Sequence, residues 1–161
     1  MNATDTNRAR RLRRLDMPEF FAPAPLGAVA LMALNDHVLK ARLHNALTGK
    51  LSDLAACFFL PALVSGVLGM VGPLRSAWRL AAGALVTAGI FVALELSDTA
   101  GGWFALVTTT LGAPLGIHRA VLTRDLTDLA ALAMIPLGCL HARRAITRGA
   151  TDAAANSDGA T

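Results

Sequence analysis

The sequence predicts an all-α membrane protein, a polytopic transmembrane helical bundle of four or five spans with an internal, inverted repeat. Composition is the first reason: 54% of the 161 residues are hydrophobic and only 16% are charged, unlike an ordinary soluble domain. The second reason is that the apolar residues fall into separate runs, and the third is that one stretch of sequence recurs. A soluble protein of this length could hardly bury all of these runs in its core.

Five apolar segments predict the spans: 24–39, 53–72, 78–96, 103–117 and 126–142. A membrane-crossing helix needs about 20 apolar residues, so only the second and third segments are comfortably long enough. The others are short or carry polar residues, which suggests tilt or a partial crossing. Around them we expect a disordered, basic, cytoplasmic N-terminus over residues 1–19, a transmembrane domain over 20–145, and a disordered tail over 146–161.

Basic residues predict the orientation and the partners. The arginines that precede the first segment are Arg8, Arg10, Arg11, Arg13 and Arg14. We expect the protein to lie in the inner membrane of the cell, with these arginines on the cytoplasmic side in contact with anionic lipids of the bilayer. Nucleic acid is not an expected partner, because no aromatic residues interleave with the cluster to stack on bases. A homo-oligomer is compatible with the sequence but does not follow from it.

The same charges leave the number of spans open. With five spans and a cytoplasmic N-terminus, nine Lys and Arg residues lie inside and six outside. If the fourth segment is re-entrant, the split becomes ten to five, which fits the positive-inside rule slightly better. Five spans make the two repeat helices antiparallel and four make them parallel; we favour five and hence an inverted repeat.

The repeat consists of residues 46–61 and 121–136, which are identical at eight of sixteen positions. Each copy places an aspartate, Asp53 or Asp128, where a long apolar run begins, and paired motifs of this kind can build a site between two halves. A simpler interpretation is that Ser52 and Thr127 are N-caps, with each aspartate in the first helical turn. Capping does not explain the identities upstream, or the proline that ends both copies.

Several charged side chains have predicted partners. Lys50 and Asp125 occupy equivalent positions in the two copies, so they can form a cross-repeat ion pair if the copies meet; otherwise each is solvated in its own loop. Asp36 and Lys40 lie one turn apart and can pair. Glu95 needs either a basic partner or a proton. The candidate residues of the polar site are Asp36, His37, Lys40, His44, Lys50, Asp53, Glu95, Asp125 and Asp128.

No cofactor or metal is predicted. His37 and His44 lie seven residues apart, but they do not form an HExxH motif or a tight cluster of ligands. Motifs for dinucleotides, nucleotides and serine hydrolases are also missing from the sequence. Cys57 and Cys139 lie inside apolar runs, where packing is their expected role.

One pattern resembles a known family. The string Leu34-Asn35-Asp36-His37-Val38-Leu39-Lys40, the residues 44–55 that follow it, and the later run 125–132 are similar to a family of small, uncharacterised bacterial multispan membrane proteins. The similarity covers residues 34–61 and 121–136, and it implies no particular activity. A fainter similarity to VanZ-like membrane proteins rests on Asp and His at the ends of short spans, and the detailed motif does not match.

Three functional hypotheses follow. The first is binding or passage of a small polar or ionic solute, protons included, at a polar site between the two copies. The second is a membrane-embedded enzyme that acts on a lipid headgroup, with Asp36, His37, His44 and Asp53 as acid and base groups. The third is a structural subunit whose polar residues hold helices together. Passage requires polar residues at several depths, catalysis gathers them at one interface, and a structural role pairs all of them.

Overall fold

The structure, a computed structural model, describes residues 17–43, 46–72, 74–115 and 125–158, and these residues are helical with no β-strand among them. The helices are α1 (Pro18–Phe21), α2 (Pro23–Leu34), α3 (Lys40–Leu43), α4 (Ala46–Val71), α5 (Ser76–Leu96), α6 (Asp98–Gly112) and α7 (Met134–Asp158). A π-helical turn, Asn35–Leu39, joins α2 to α3, and 3₁₀ segments cover Ala113–Leu115 and Leu126–Ala133.

Three helical stretches are long and apolar enough to cross a membrane: Thr48–Val71, Ser76–Leu96 and Leu126–Asp152. They coincide with the second, third and fifth predicted segments. The first segment falls on α2, with 12 residues, and on the π-helical turn, and the fourth falls on α6, with 15; neither is among the membrane-length helices. The described residues therefore show three membrane-length helices, where the sequence predicted four or five spans.

The two repeat copies run in the same direction, so the prediction of an inverted repeat is wrong for this structure. Lys50, near the start of α4, contacts Asp128 before α7. Further along the same two helices, the Phe58 ring lies 5.4 Å from the ring of His141. One contact lies near the start of both segments and the other lies further along both, so the two helices run parallel. This is the arrangement that the alternative with a re-entrant fourth segment predicts.

Glycines allow the long helices to approach closely. A Cβ atom at residue 83 of α5 would overlap the carbonyl of Pro61, and one at residue 138 of α7 would overlap the carbonyl of Phe58. Small residues at such contacts are how membrane helices gain packing without a hydrophobic drive from water. Cys57 lies in the resulting core with no exposed surface, in the packing role expected for it.

Neither repeat copy begins its helix where the capping interpretation placed it. Helix α4 starts at Ala46, so Ser52 lies inside it and is buried rather than acting as an N-cap. In the second copy the cap is Asp125, whose side chain accepts a hydrogen bond from the Thr127 amide. Pro136 falls in the first turn of α7, where a proline is tolerated, whereas its equivalent Pro61 lies inside α4.

Both segments predicted to be disordered are partly helical in the structure. Helix α7 continues to Asp158, well past residue 145, because its alanine-rich end has high helix propensity even without a surface to bury. At the other end, α1 begins at Pro18, and Glu19 is only 1% exposed. The remainder of the predicted N-terminal segment, residues 1–16, lies outside the described residues.

Candidate functional site: a polar centre at one end of the bundle

Charged residues lie mainly at the two opposite ends of the bundle. Helices α4 and α5 are antiparallel, and the hydrogen bond from Asn35 to Ser52 brings the π-helical turn to the start of α4. The backbone amide of Asp125 donates to Glu95 at the end of α5. We call this part of the molecule the acidic end; it includes the charged residues Asp36, Lys40, Lys50, Asp53, Glu95, Asp125 and Asp128.

Lys50 joins the two repeat copies. Its Nζ lies 2.6 Å from Asp128 Oδ1 and 3.2 Å from Asp125 Oδ2, and it also donates to Thr127 Oγ1. The predicted pair of Lys50 with Asp125 is therefore confirmed, and the structure adds Asp128 as the closer and more buried partner, with 12% of its side chain exposed. We call this group of four residues the Lys50 clasp.

Asp125 pairs with Lys50 in the clasp and is also the N-cap of the 3₁₀ segment. Hydrogen bonds from the Thr127 side chain and backbone amide, and then the Lys50 ammonium, lower the pKa of the Asp125 carboxyl. A lowered pKa means that the charged form is favoured in the folded protein. The contribution of Asp125 to stability is therefore present above its unfolded pKa and is lost as the pH falls through the lower, folded value.

A second network lies around the π-helical turn. The Asn35 amide donates to the backbone carbonyl of Thr48 and, at 2.7 Å, to Ser52 Oγ. Ser52 Oγ in turn donates to Asp36 at 2.6 Å, and Lys40 Nζ lies 2.7 Å from the same carboxylate oxygen, which confirms the expected pair of Asp36 with Lys40. The buried Asn35 Oδ1 has no hydrogen-bond partner among the described residues. π-Helical turns are frequent at functional sites.

Asp53 lies between these two networks and belongs to neither. Its carboxylate interacts electrostatically with Asp128 and Glu95, and with Lys40 and Lys50. Within the described residues, however, no hydrogen bond or ion pair engages it. The two repeat aspartates are thus close enough to interact, as the repeat predicted, but only Asp128 is held by a cation.

Of the two alternatives expected for Glu95, a basic partner is not found among the described residues. Glu95 accepts the Asp125 backbone amide at 3.0 Å and is 8% exposed. This hydrogen bond fixes the point at which the second copy enters the bundle. A pattern search for charge pairs could not have found it, because the donor is part of the backbone.

The two predicted histidines do not complete a metal site in this structure. His37 is exposed on the π-helical turn and interacts with Asp36 only electrostatically, while His44 lies outside the described residues. Across the described ranges, no three His, Cys, Asp or Glu side chains are grouped in a way that could hold a metal ion.

The sequence did not indicate a second polar cluster near the opposite end. Glu19 Oε1 accepts from Ser65 Oγ at 3.0 Å and lies 3.3 Å from Arg79 Nη2. Glu19 Oε2 and Arg79 Nε are buried without a partner among the described residues. The available signal was Glu19 itself, an acidic residue just before an apolar run and directly after a proline that can begin a helix.

Comparisons with known proteins give no further assignment. No family model matches the chain, and neither a curated protein nor a solved structure shows detectable similarity to it.

A charge exchange across the Lys50 clasp tests whether it holds the two copies together. Lys50→Glu places a carboxylate against Asp128, so we expect a lower melting temperature for the detergent-solubilised protein. Adding Asp128→Lys restores an attractive pair and should recover part of the loss, as measured by differential scanning fluorimetry.

The matched control is Arg42→Glu, which reverses an exposed cation without an ion pair among the described residues. If it lowers the melting temperature as much as Lys50→Glu, the effect comes from net charge and the clasp is not a specific link.

Proposed function

We propose that this chain is a multi-pass protein of the bacterial inner membrane that binds a small cation, protons included, at the acidic end. Asp53 is the observation that supports this proposal most directly. It is the carboxylate of the first repeat copy, it is half-buried among other acids, and no cation of the described residues is bound to it. A carboxylate in a membrane helix without a partner is a functional candidate, because an unpaired charge there is expensive.

Binding is better supported than passage. Polar residues gather at the acidic end and, separately, around Glu19 near the opposite end, whereas the core cluster between them consists of Cys57, Phe91, Ala131 and Ile135. A path across the membrane would need polar groups at several depths. A purely structural role is less well supported, because it leaves Asp53 unexplained.

The proposed topology places the acidic end outside and the opposite end in the cytoplasm. Residues 23–43 form one helical stretch that runs antiparallel to α4, since Glu19 contacts Ser65 while Asn35 contacts Ser52. As a fourth, short crossing it would make both chain ends cytoplasmic. The arginine-rich N-terminus and Arg143, Arg144 and Arg148 would then share the inner side, as the positive-inside rule requires.

Cation-dependent stability of the Asp53→Asn variant tests the proposal. A ligand at about 100 times its Kd stabilises a protein by roughly 2.7 kcal/mol, which corresponds to a rise in melting temperature of about 5–10 °C for a chain of this size. We expect a monovalent cation, Na⁺ or K⁺, which does not require three grouped carboxylate or histidine ligands, to raise the melting temperature of the wild type and not that of Asp53→Asn. If the cation is a proton, infrared difference spectra should instead show a protonated carboxyl band that Asp53→Asn removes.

Asp152→Asn is the matched control, because Asp152 is exposed on α7, far along the helix from the acidic end. It should respond to cations as the wild type does. The proposal fails if neither a cation nor a proton distinguishes Asp53→Asn from the wild type.

The arrangement also supports a second candidate, an enzyme acting on lipid headgroups. Asp36 and His37 are both exposed on the π-helical turn, next to the point where α4 begins. An acid and a base at one membrane interface are what such a reaction needs. Conversion of lipid by the purified protein in proteoliposomes would favour this candidate, since cation binding alone changes no lipid.

A further inference from the structure

The end of the bundle opposite the acidic end carries exposed arginines on two different helices. Leu80 of α5 packs against Ala142 of α7, with Ile146 next to them, and this contact fixes the relative level of the two antiparallel helices. From Leu80 to Arg75 the chain moves outward by about 7.5 Å, at 1.5 Å per residue. From Ala142 to Arg148 it moves outward by about 9 Å. Arg75 and Arg148 therefore lie at similar levels beyond the core, and Arg143 and Arg144 lie about 6–7.5 Å nearer to it.

These arginines have no anionic partners in the described part of the chain. Arg79 is paired with Glu19, whereas no ion pair engages the four that remain exposed: Arg75, Arg143, Arg144 and Arg148. Asp152 follows Arg148 by one turn without forming an ion pair with it. We call these four residues the basic collar.

An aromatic side chain marks the same level. Trp78, three residues from Arg75, is 69% exposed. Exposed tryptophans are enriched at the boundary between hydrocarbon and headgroups, where one side of the ring is apolar and the other can reach water. The basic collar therefore lies at the depth at which the phosphates of a bilayer leaflet would surround it.

We propose that the basic collar is a binding surface for anionic phospholipid headgroups. Guanidinium groups pair with phosphate through forked hydrogen bonds, and four of them without protein partners leave that capacity unused. The surface lies on helices of the folded bundle and includes none of the arginines that precede Met17 in the sequence. It does not depend on the cation site, which is at the other end of the molecule.

Native mass spectrometry of the delipidated, full-length protein tests this inference. Phosphatidylglycerol is compared with phosphatidylcholine of the same acyl chains, and glycerol phosphate serves as the free-phosphate probe. The wild type should prefer phosphatidylglycerol. Each arginine near a charged surface contributes about a fivefold factor, so the triple change Arg143→Gln, Arg144→Gln and Arg148→Gln should reduce phosphatidylglycerol binding on the order of 100-fold.

Two further variants separate charge from folding. Arg42→Gln removes an exposed arginine at the acidic end and should leave the lipid preference unchanged. Lysine at the same three positions of α7 should bind phosphatidylglycerol better than the glutamine variant and less well than the wild type, since the charge is kept and the forked hydrogen bonds are lost. Equal binding of the two lipids by the wild type, full binding by the glutamine variant, or comparable binding of glycerol phosphate alone would each overturn the proposal.

Discussion

Replacing Glu19 with methionine should destabilise the protein more than any other single change considered for this chain. Glu19 is 1% exposed and its carboxylate is the partner of Arg79, whose side chain is 17% exposed. Removing one member of a buried ion pair leaves the other charge buried without compensation, which costs about 3–5 kcal/mol. Arg79→Met should lower the free energy of unfolding by a similar amount for the same reason.

The double variant distinguishes a charge effect from a packing effect. With both residues changed to methionine no uncompensated charge remains, so we expect the double variant to be clearly more stable than the sum of the two single losses predicts. Chemical unfolding in mixed micelles, followed by circular dichroism, provides the four free energies.

The same set of two single variants and one double variant at the exposed pair of Asp36 and Lys40 provides the comparison. Their side chains are 41% and 42% exposed, and exposed pairs at this spacing have coupling energies of about 0.3–0.5 kcal/mol. If the Glu19 cycle gives a coupling energy as small as that, the two residues do not form a desolvated pair in the folded protein.

Adding one methyl group to a helix contact should be the next most damaging change. A Cβ at residue 138 would overlap the backbone carbonyl of Phe58, and one at residue 83 would overlap that of Pro61. Since a backbone group cannot rotate away, the helices must separate, and overpacking of this kind typically costs about 1–3 kcal/mol. Gly138→Ala and Gly83→Ala should both lower the melting temperature.

Gly89→Ala is the control for this pair, because it lies in the same helix as Gly83 and a Cβ there meets nothing within 4 Å. Alanine is favoured over glycine inside a helix by up to about 1 kcal/mol, so this variant should be as stable as the wild type or more so. The close approach of the helices is contradicted if Gly138→Ala behaves in the same way.

The sequence predicted those features that depend on long patterns. Apolar runs predicted the three membrane-length helices, and the repeat predicted the pair of Lys50 with Asp125. Equivalent positions in two copies of a motif have similar surroundings once the copies meet, so their charges can be compared directly. Spacing along a helix was likewise enough to pair Asp36 with Lys40.

Features that depend on a single residue's surroundings were missed or misplaced. The sequence places Glu19 in a segment expected to be disordered, because its partners Ser65 and Arg79 are distant along the chain and leave no local pattern. Ser52 has the residue type of an N-cap, but the preceding residues extend α4 and turn its hydroxyl toward Asn35 instead. The second copy runs parallel to the first because Asp125 lies beside Glu95, at the end of α5, and the hydropathy of the short fourth segment does not determine this.

The Lys50 clasp makes the two halves of the chain unequal partners. At the equivalent positions 50 and 125, two identical copies would place lysine against lysine or aspartate against aspartate, whereas this chain has an attractive pair there. Asp128 adds a second contact to the same ammonium, and its equivalent Asp53 could supply that contact in two copies of the first half. Two first halves would therefore combine one attraction with one repulsion at this point, and two second halves would have repulsion alone, so we expect separated halves to reassemble as a heterodimer in preference to two homodimers.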